Sequence, residues 1–179
     1  MQIEFDIDIK WTAFPLHPET PTAGLTLEEL FAGRPVDIKQ VLERLNRTAR
    51  DLGLPFGKRK RTYNSRLAHE LGKLAEEQGC GQRYHMAAFK AYFAKGLNIG
   101  LQSTLLDLGT SVGLPAQQVL EVLEKRTFED AVDKDWKRSY QSGVTAVPTF
   151  MINGISLVGA QPYEKLAQLM ENSGIMKRA

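Results

Sequence analysis

The chain has 179 residues, 42% hydrophobic and 25% charged, so it can bury a sizeable core and has neither a disordered nor a fibrous composition. A formal net charge of +2 is too small to bind nucleic acid through bulk electrostatics, which needs several clustered cations. The single cysteine, Cys80, excludes an internal disulfide framework, a multi-cysteine metal site and CxxC chemistry within these residues.

In chain order, Ile3, Phe5, Ile7, Ile9 and Trp11 alternate with Glu4, Asp6, Asp8 and Lys10. A period of two predicts a strand with one apolar and one charged face, suited to a sheet edge. Residues 15–35 hold four prolines and two glycines with little periodicity and predict an ordered loop, too long for a simple turn. From Asp37 to Gly143 the pattern is helical. Ile38, Val41, Leu42, Leu45 and Ala49 form one stripe, and Gly53, Gly79, Gly96, Gly113 and Gly143 mark helix ends. Asn64 can cap the helix bearing Leu67, Ala68, Leu71 and Leu74. Thr127 with Asp130 approximates a capping box for the helix bearing Val132 and Trp136. About six helices follow one another with no strand among them. Thr149–Ile152 and Ile155–Val158 are β-rich runs around Asn153-Gly154, which predicts a two-residue hairpin. Pro162 then opens a final helix.

Few residues carry chemistry on their own. His17, His69 and His85 fall on separate elements without ligand spacing, so no metal is expected. Lys58-Arg59-Lys60-Arg61 is either a solvated loop or an anion site beside a helix N-terminus. Cys80, between Gly79 and Gly81, is either an incidental thiol or a redox sensor. The N-terminal residues lack the uninterrupted apolar stretch of a secretory signal, and no segment approaches the ~20 apolar residues of a membrane helix. The expectation is a cytoplasmic protein without membrane partners.

Three stretches carry a family resemblance. Ile9–Pro21 (IKWTAFPLHPETP), Arg61–Gly79 (RTYNSRLAHELGKLAEEQG) and Gly143–Pro162 (GVTAVPTFMINGISLVGAQP) resemble DsbA-like thioredoxin-fold proteins of the FrnE type. The Asn64–Leu71 stretch is also similar to the 2-hydroxychromene-2-carboxylate isomerases and kappa-class glutathione transferases.

The resemblance implies an α/β thioredoxin-like fold, residues 1–36 and 143–179, carrying a large all-helical insertion, residues 37–142. It implies a cis-proline loop in which Ala146, Val147 and Pro148 offer backbone to an extended peptide, and a substrate-side role for Asn64. The family's first strand and helix, which carry its CxxC, have no counterpart here, so no catalytic residue is expected and the sheet lacks its middle strand. Direct pairing of the remaining strands, or a second copy in a homodimer, would cover that gap. The implied function is that of a thiol-disulfide oxidoreductase lineage, inactive as this chain, acting on protein or peptide thiols and disulfides without a cofactor. The alternatives are a glutathione-dependent isomerase or transferase, with glutathione as its cofactor, and a non-catalytic peptide-binding module.

Overall fold

The computed structural model describes residues 1–178, and these divide into two compact units, residues 17–133 and residues 1–16 with 134–178. In the first unit the elements run β1 (Leu25–Thr26), α1 (Leu27–Leu30), α2 (Ile38–Asp51), β2 (Arg61–Thr62), α3 (Arg66–Glu77), α4 (Gly81–Phe89), a π-helical turn (Lys90–Ala94), α5 (Gln102–Ser111) and α6 (Ala116–Lys125). Helix α7 (Glu129–Gln141) runs through the boundary, and β3 (Thr149–Ile152), β4 (Ile155–Val158) and α8 (Tyr163–Asn172) follow in the second unit.

The helical unit is built around α3. Its stripe of Ala68, Leu71, Leu74 and Ala75 is buried with Tyr84 of α4, Leu105 of α5 and Val119, Val122 and Leu123 of α6 in one apolar cluster. The close approach of α5 and α6 needs Gly109, because a Cβ there would lie 2.8 Å from Val119 Cγ2. Tyr84 donates its hydroxyl to the Ala68 carbonyl at 3.0 Å, so its one polar group is satisfied within the core. Cys80, 4% exposed, belongs to the same cluster.

The expected boundary after residue 36 does not coincide with the division after Leu16. Side chains explain the shift. Asn64 Nδ2 donates to the carbonyls of Pro18 and Thr20, Asn98 Nδ2 to that of Thr22, and Arg61 Nη2 to that of Gly24, each at 3.0 Å. The proline-rich loop is thereby held by the helical unit. Its end forms β1, paired antiparallel with β2, so a short strand does interrupt the helical succession. Thr26 then closes a capping box with Glu29.

In the second unit the hairpin forms with the expected register, Thr149 opposite Val158 and Ile152 opposite Ile155. Asn153 and Gly154 both have positive φ, 49° and 82°, as a type I′ turn requires. Ile152 and Leu157 pack with Phe5, Leu169 and Met170 in this unit's core.

The N-terminal strand is a correction. Phe5 makes a single bridge to Lys177, and no strand extends over residues 6–14. The alternation persists as burial, since Phe5 and Ile7 join the core while Asp6, Asp8 and Lys10 are exposed. A strand is completed by its neighbour's backbone, and β3 pairs only with β4. Direct pairing of this segment with the hairpin therefore does not occur.

Candidate functional site

The proline loop begins where α7 ends. Gly143 takes φ +69°, and two hydrogen bonds, Gly143 N–H to the Tyr140 carbonyl and Val144 N–H to the Ser139 carbonyl, both 3.0 Å, close a Schellman motif. Past this stop Ala146, Val147 and Pro148 lead into β3, with Val147–Pro148 in the cis form. The backbone of the loop is unevenly used. The Ala146 carbonyl accepts from Thr149 Oγ1 at 2.7 Å, and the Pro148 carbonyl accepts from Gly159 N–H at 2.7 Å. Val147 is 44% exposed, and among the described residues its N–H and C=O have no hydrogen-bond partner. The loop thus presents one donor and one acceptor on a residue at the edge of a hairpin, with an apolar side chain beside them.

Asn64 lies in the helical unit. Its Nδ2 holds the two loop carbonyls, and its Oδ1 accepts from Arg66 N–H at 2.9 Å. The N-cap position of α3 belongs to Ser65, which makes no side-chain cap bond, so Asn64 supplies the cap from one residue further out. Both groups of its amide are therefore engaged within the protein.

The basic run divides by parity. Lys58 and Lys60 are exposed, while Arg59 turns inward, its guanidinium 4.6 Å from the centroid of Tyr92 and 5.7 Å from that of Phe93. Arg59 Nη1 donates to Thr62 Oγ1 at 2.7 Å and to the Tyr92 hydroxyl. His17 lies close enough to feel this charge. Burial, with Arg34 and Arg59 adding to it against an opposing Glu19, holds the His17 pKa below its usual value of 6.5. The folded imidazole gives up its proton more readily than the unfolded one, so stability from neutral His17 is complete above about pH 6.5 and is lost as pH falls through the lowered folded value. His17→Gln should flatten the decline of the urea midpoint between about pH 7.5 and about pH 5.5. An unchanged slope would assign that decline to other groups.

A second charged cluster is invisible in the pattern. Glu70 is fully buried and accepts from Arg66 Nε at 3.0 Å and from Arg126 Nε and Nη2 at 2.7 and 2.6 Å. Arg126 stands at the C-cap of α6 with φ +57°, a conformation that ordinarily selects glycine. The hydrogen bonds to Glu70 raise its pKa further and fix the guanidinium as a permanent cation. This cluster is structural. No group of three or more His, Cys, Asp or Glu residues is arranged to hold a metal ion among the described residues. Among the same residues no helix is long and apolar enough to cross a membrane.

The architecture has relatives. The family model described as DSBA-like thioredoxin domain matches residues 1–171. The uncharacterized protein YwbO of Bacillus subtilis (strain 168) is 36% identical over 95 residues, 52% of this chain and 48% of its own, so the chain matches about half the length of that curated relative. Among solved structures, a "probable DsbA oxidoreductase" from Streptomyces coelicolor superposes with a TM-score of 0.83 at 26% identity, covering 91% of this chain and 74% of that one. A 2-hydroxychromene-2-carboxylate isomerase shares the fold, with a TM-score of 0.73 at 19% identity over 94% of this chain and 81% of its own. With the resemblance of its three diagnostic stretches matched by a family model over nearly its whole length, the chain belongs to the DSBA-like thioredoxin domain family.

Proposed function

We propose that this chain is the peptide-docking part of a DsbA-type thiol-disulfide oxidoreductase, working on protein or peptide thiols and disulfides in the cytoplasm without a bound cofactor. The observation that carries the reading is Val147, exposed, with its N–H and C=O unpartnered among the described residues, beside the Pro148 that precedes β3. An extended peptide can add to such a backbone as a further strand, taking affinity from main-chain hydrogen bonds and specificity from side-chain pockets. Ala146 and Pro148 support that role by fixing the backbone on either side of Val147. Asn64 holds the carbonyls of Pro18 and Thr20 within the helical unit.

The reading separates docking from turnover. Disulfide exchange needs a thiolate to attack and a second thiol to release the mixed disulfide, and residues 1–179 contain one cysteine, buried in the helical core. An isomerase reading would use the amide of Asn64 on a ligand, and that amide is engaged within the protein. In an insulin reduction assay with dithiothreitol, the chain of residues 1–179 should leave the rate at its uncatalysed value, and Cys80→Ser should behave identically. Turnover abolished by Cys80→Ser would place chemistry in the helical unit and overturn the reading.

A further inference from the structure

One partly buried cation of the helical unit has only neutral partners. Arg59 spends Nη1 on the Thr62 hydroxyl at 2.7 Å, the Arg61 carbonyl at 3.4 Å and the Tyr92 hydroxyl, and its guanidinium lies over the Tyr92 ring. Among the described residues it forms no ion pair, its Nη2 makes no hydrogen bond, and its buried Nε has no partner. A charge drawn out of water is ordinarily paired, so this guanidinium lacks the anion that its setting calls for.

Two more groups are fixed around it within the same unit. His17 precedes the loop carbonyls of Pro18 and Thr20 that Asn64 holds, and Thr20 N–H returns to the His17 carbonyl at 3.2 Å. Arg34 follows α1, which continues from the strand paired with β2, and its N–H is tied to the Phe31 carbonyl at 3.0 Å. These groups meet electrostatically. Burial first, then Arg34 and Arg59, keep the His17 imidazole neutral, with Glu19 opposing them. The imidazole has no hydrogen-bond partner and Arg34 no ion pair among the described residues. Exposed Lys58 and Lys60 flank Arg59, so positive charge here exceeds what the exposed Glu19 carboxylate offsets.

We propose that Arg59, Arg34 and His17 form a binding site for a doubly charged oxyanion of the phosphate class, with Arg59 Nη2 and the His17 imidazole donating to it. The charge excess selects a dianion over a single carboxylate, and a guanidinium matches the oxygens of such a group. The basic run thus acts as an anion site without a helix N-terminus, because the Arg66 N–H that opens α3 is already taken by Asn64 Oδ1 at 2.9 Å. The site is independent of peptide docking at Val147 and makes no use of that loop.

Inorganic phosphate is the probe, titrated into the chain with ionic strength held constant by chloride, and the His17 ring protons are followed by nuclear magnetic resonance. Above about pH 7 phosphate is largely the dianion. It should bind saturably at millimolar concentration and raise the pH midpoint of His17, since a bound anion favours the protonated ring. Arg34→Glu should weaken phosphate by at least about tenfold, because a like charge then faces the ligand. Arg34 is exposed and makes no side-chain bond among the described residues, so this variant reads the site even where Arg59→Gln disturbs the fold. Lys137→Ser, an exposed cation of the other unit, should bind phosphate as the native chain does. A His17 midpoint that phosphate moves no further than chloride at equal ionic strength overturns the proposal. So does acetate that binds as tightly as phosphate, or an Arg34→Glu chain whose phosphate affinity is unchanged.

Discussion

Arg126→Ala is expected to cost about 3 kcal/mol of stability, the low end of the range for stripping a partner from a buried charge. Glu70 is fully buried, and the substitution removes its bidentate partner while the bond from Arg66 Nε stays. The low end applies because Arg126 is itself 35% exposed and its share of the pair is screened by water. In a chain of this size the loss corresponds to a melting temperature lower by roughly 6–12 °C. The backbone supplies a second, separable term. Alanine inherits the left-handed conformation without the bridge that holds it, whereas glycine adopts it freely, so Arg126→Gly should recover about 1 kcal/mol of the loss. Equal stabilities for the two variants would show that the left-handed cap carries no strain.

Gly57→Ala is the other large effect, expected at about 2–3 kcal/mol. A Cβ at this position would lie 2.0 Å from the Ala94 carbonyl oxygen, and that atom belongs to backbone and cannot rotate away. The same approach carries the hydrogen bond from Gly57 N–H to the Phe93 carbonyl at 2.9 Å. The substitution should therefore release the segment that sets Arg59 over Tyr92 and Phe93, and the near-ultraviolet circular dichroism of those rings should fall with the melting temperature. Gly53→Ala is the control. It meets nothing within 4 Å and has only its positive φ of 66° to oppose it, which costs about 1 kcal/mol. A Gly57→Ala variant as stable as Gly53→Ala would mean that the loop shifts without loss.

What could be read from the sequence follows the range of the forces involved. Helices α2 to α7 and the hairpin are specified locally, by a 3.6-residue stripe, a left-handed glycine after every helix of that run except α6 and the Asn153-Gly154 pair, so their limits were legible within a few residues. The segment at residues 3–14 has the pattern of a strand, but a strand also needs a partner that its own residues do not encode. Asn64 reads as a helix cap because capping is local, while its grip on Pro18 and Thr20 spans more than forty residues and leaves no periodic trace. Arg126 hides for a related reason. Its left-handed backbone depends on Glu70, 56 residues away, and arginine gives no signal for that conformation. At the candidate site, the sequence around Pro148 identified the loop, and only the structure singles out Val147 as the residue whose main chain is left unpaired.

Docking at that residue can be read directly by titrating the isotope-labelled chain with S-carboxymethylated insulin B chain, an extended peptide that cannot exchange disulfides. Amide shifts should concentrate at residues 145–149, and the Val147 amide should move as a newly formed hydrogen bond requires, in native chain and Cys80→Ser alike. Amides of that loop that stay in place at millimolar peptide, or shifts confined to the helical unit, would contradict the assignment of peptide docking to Val147.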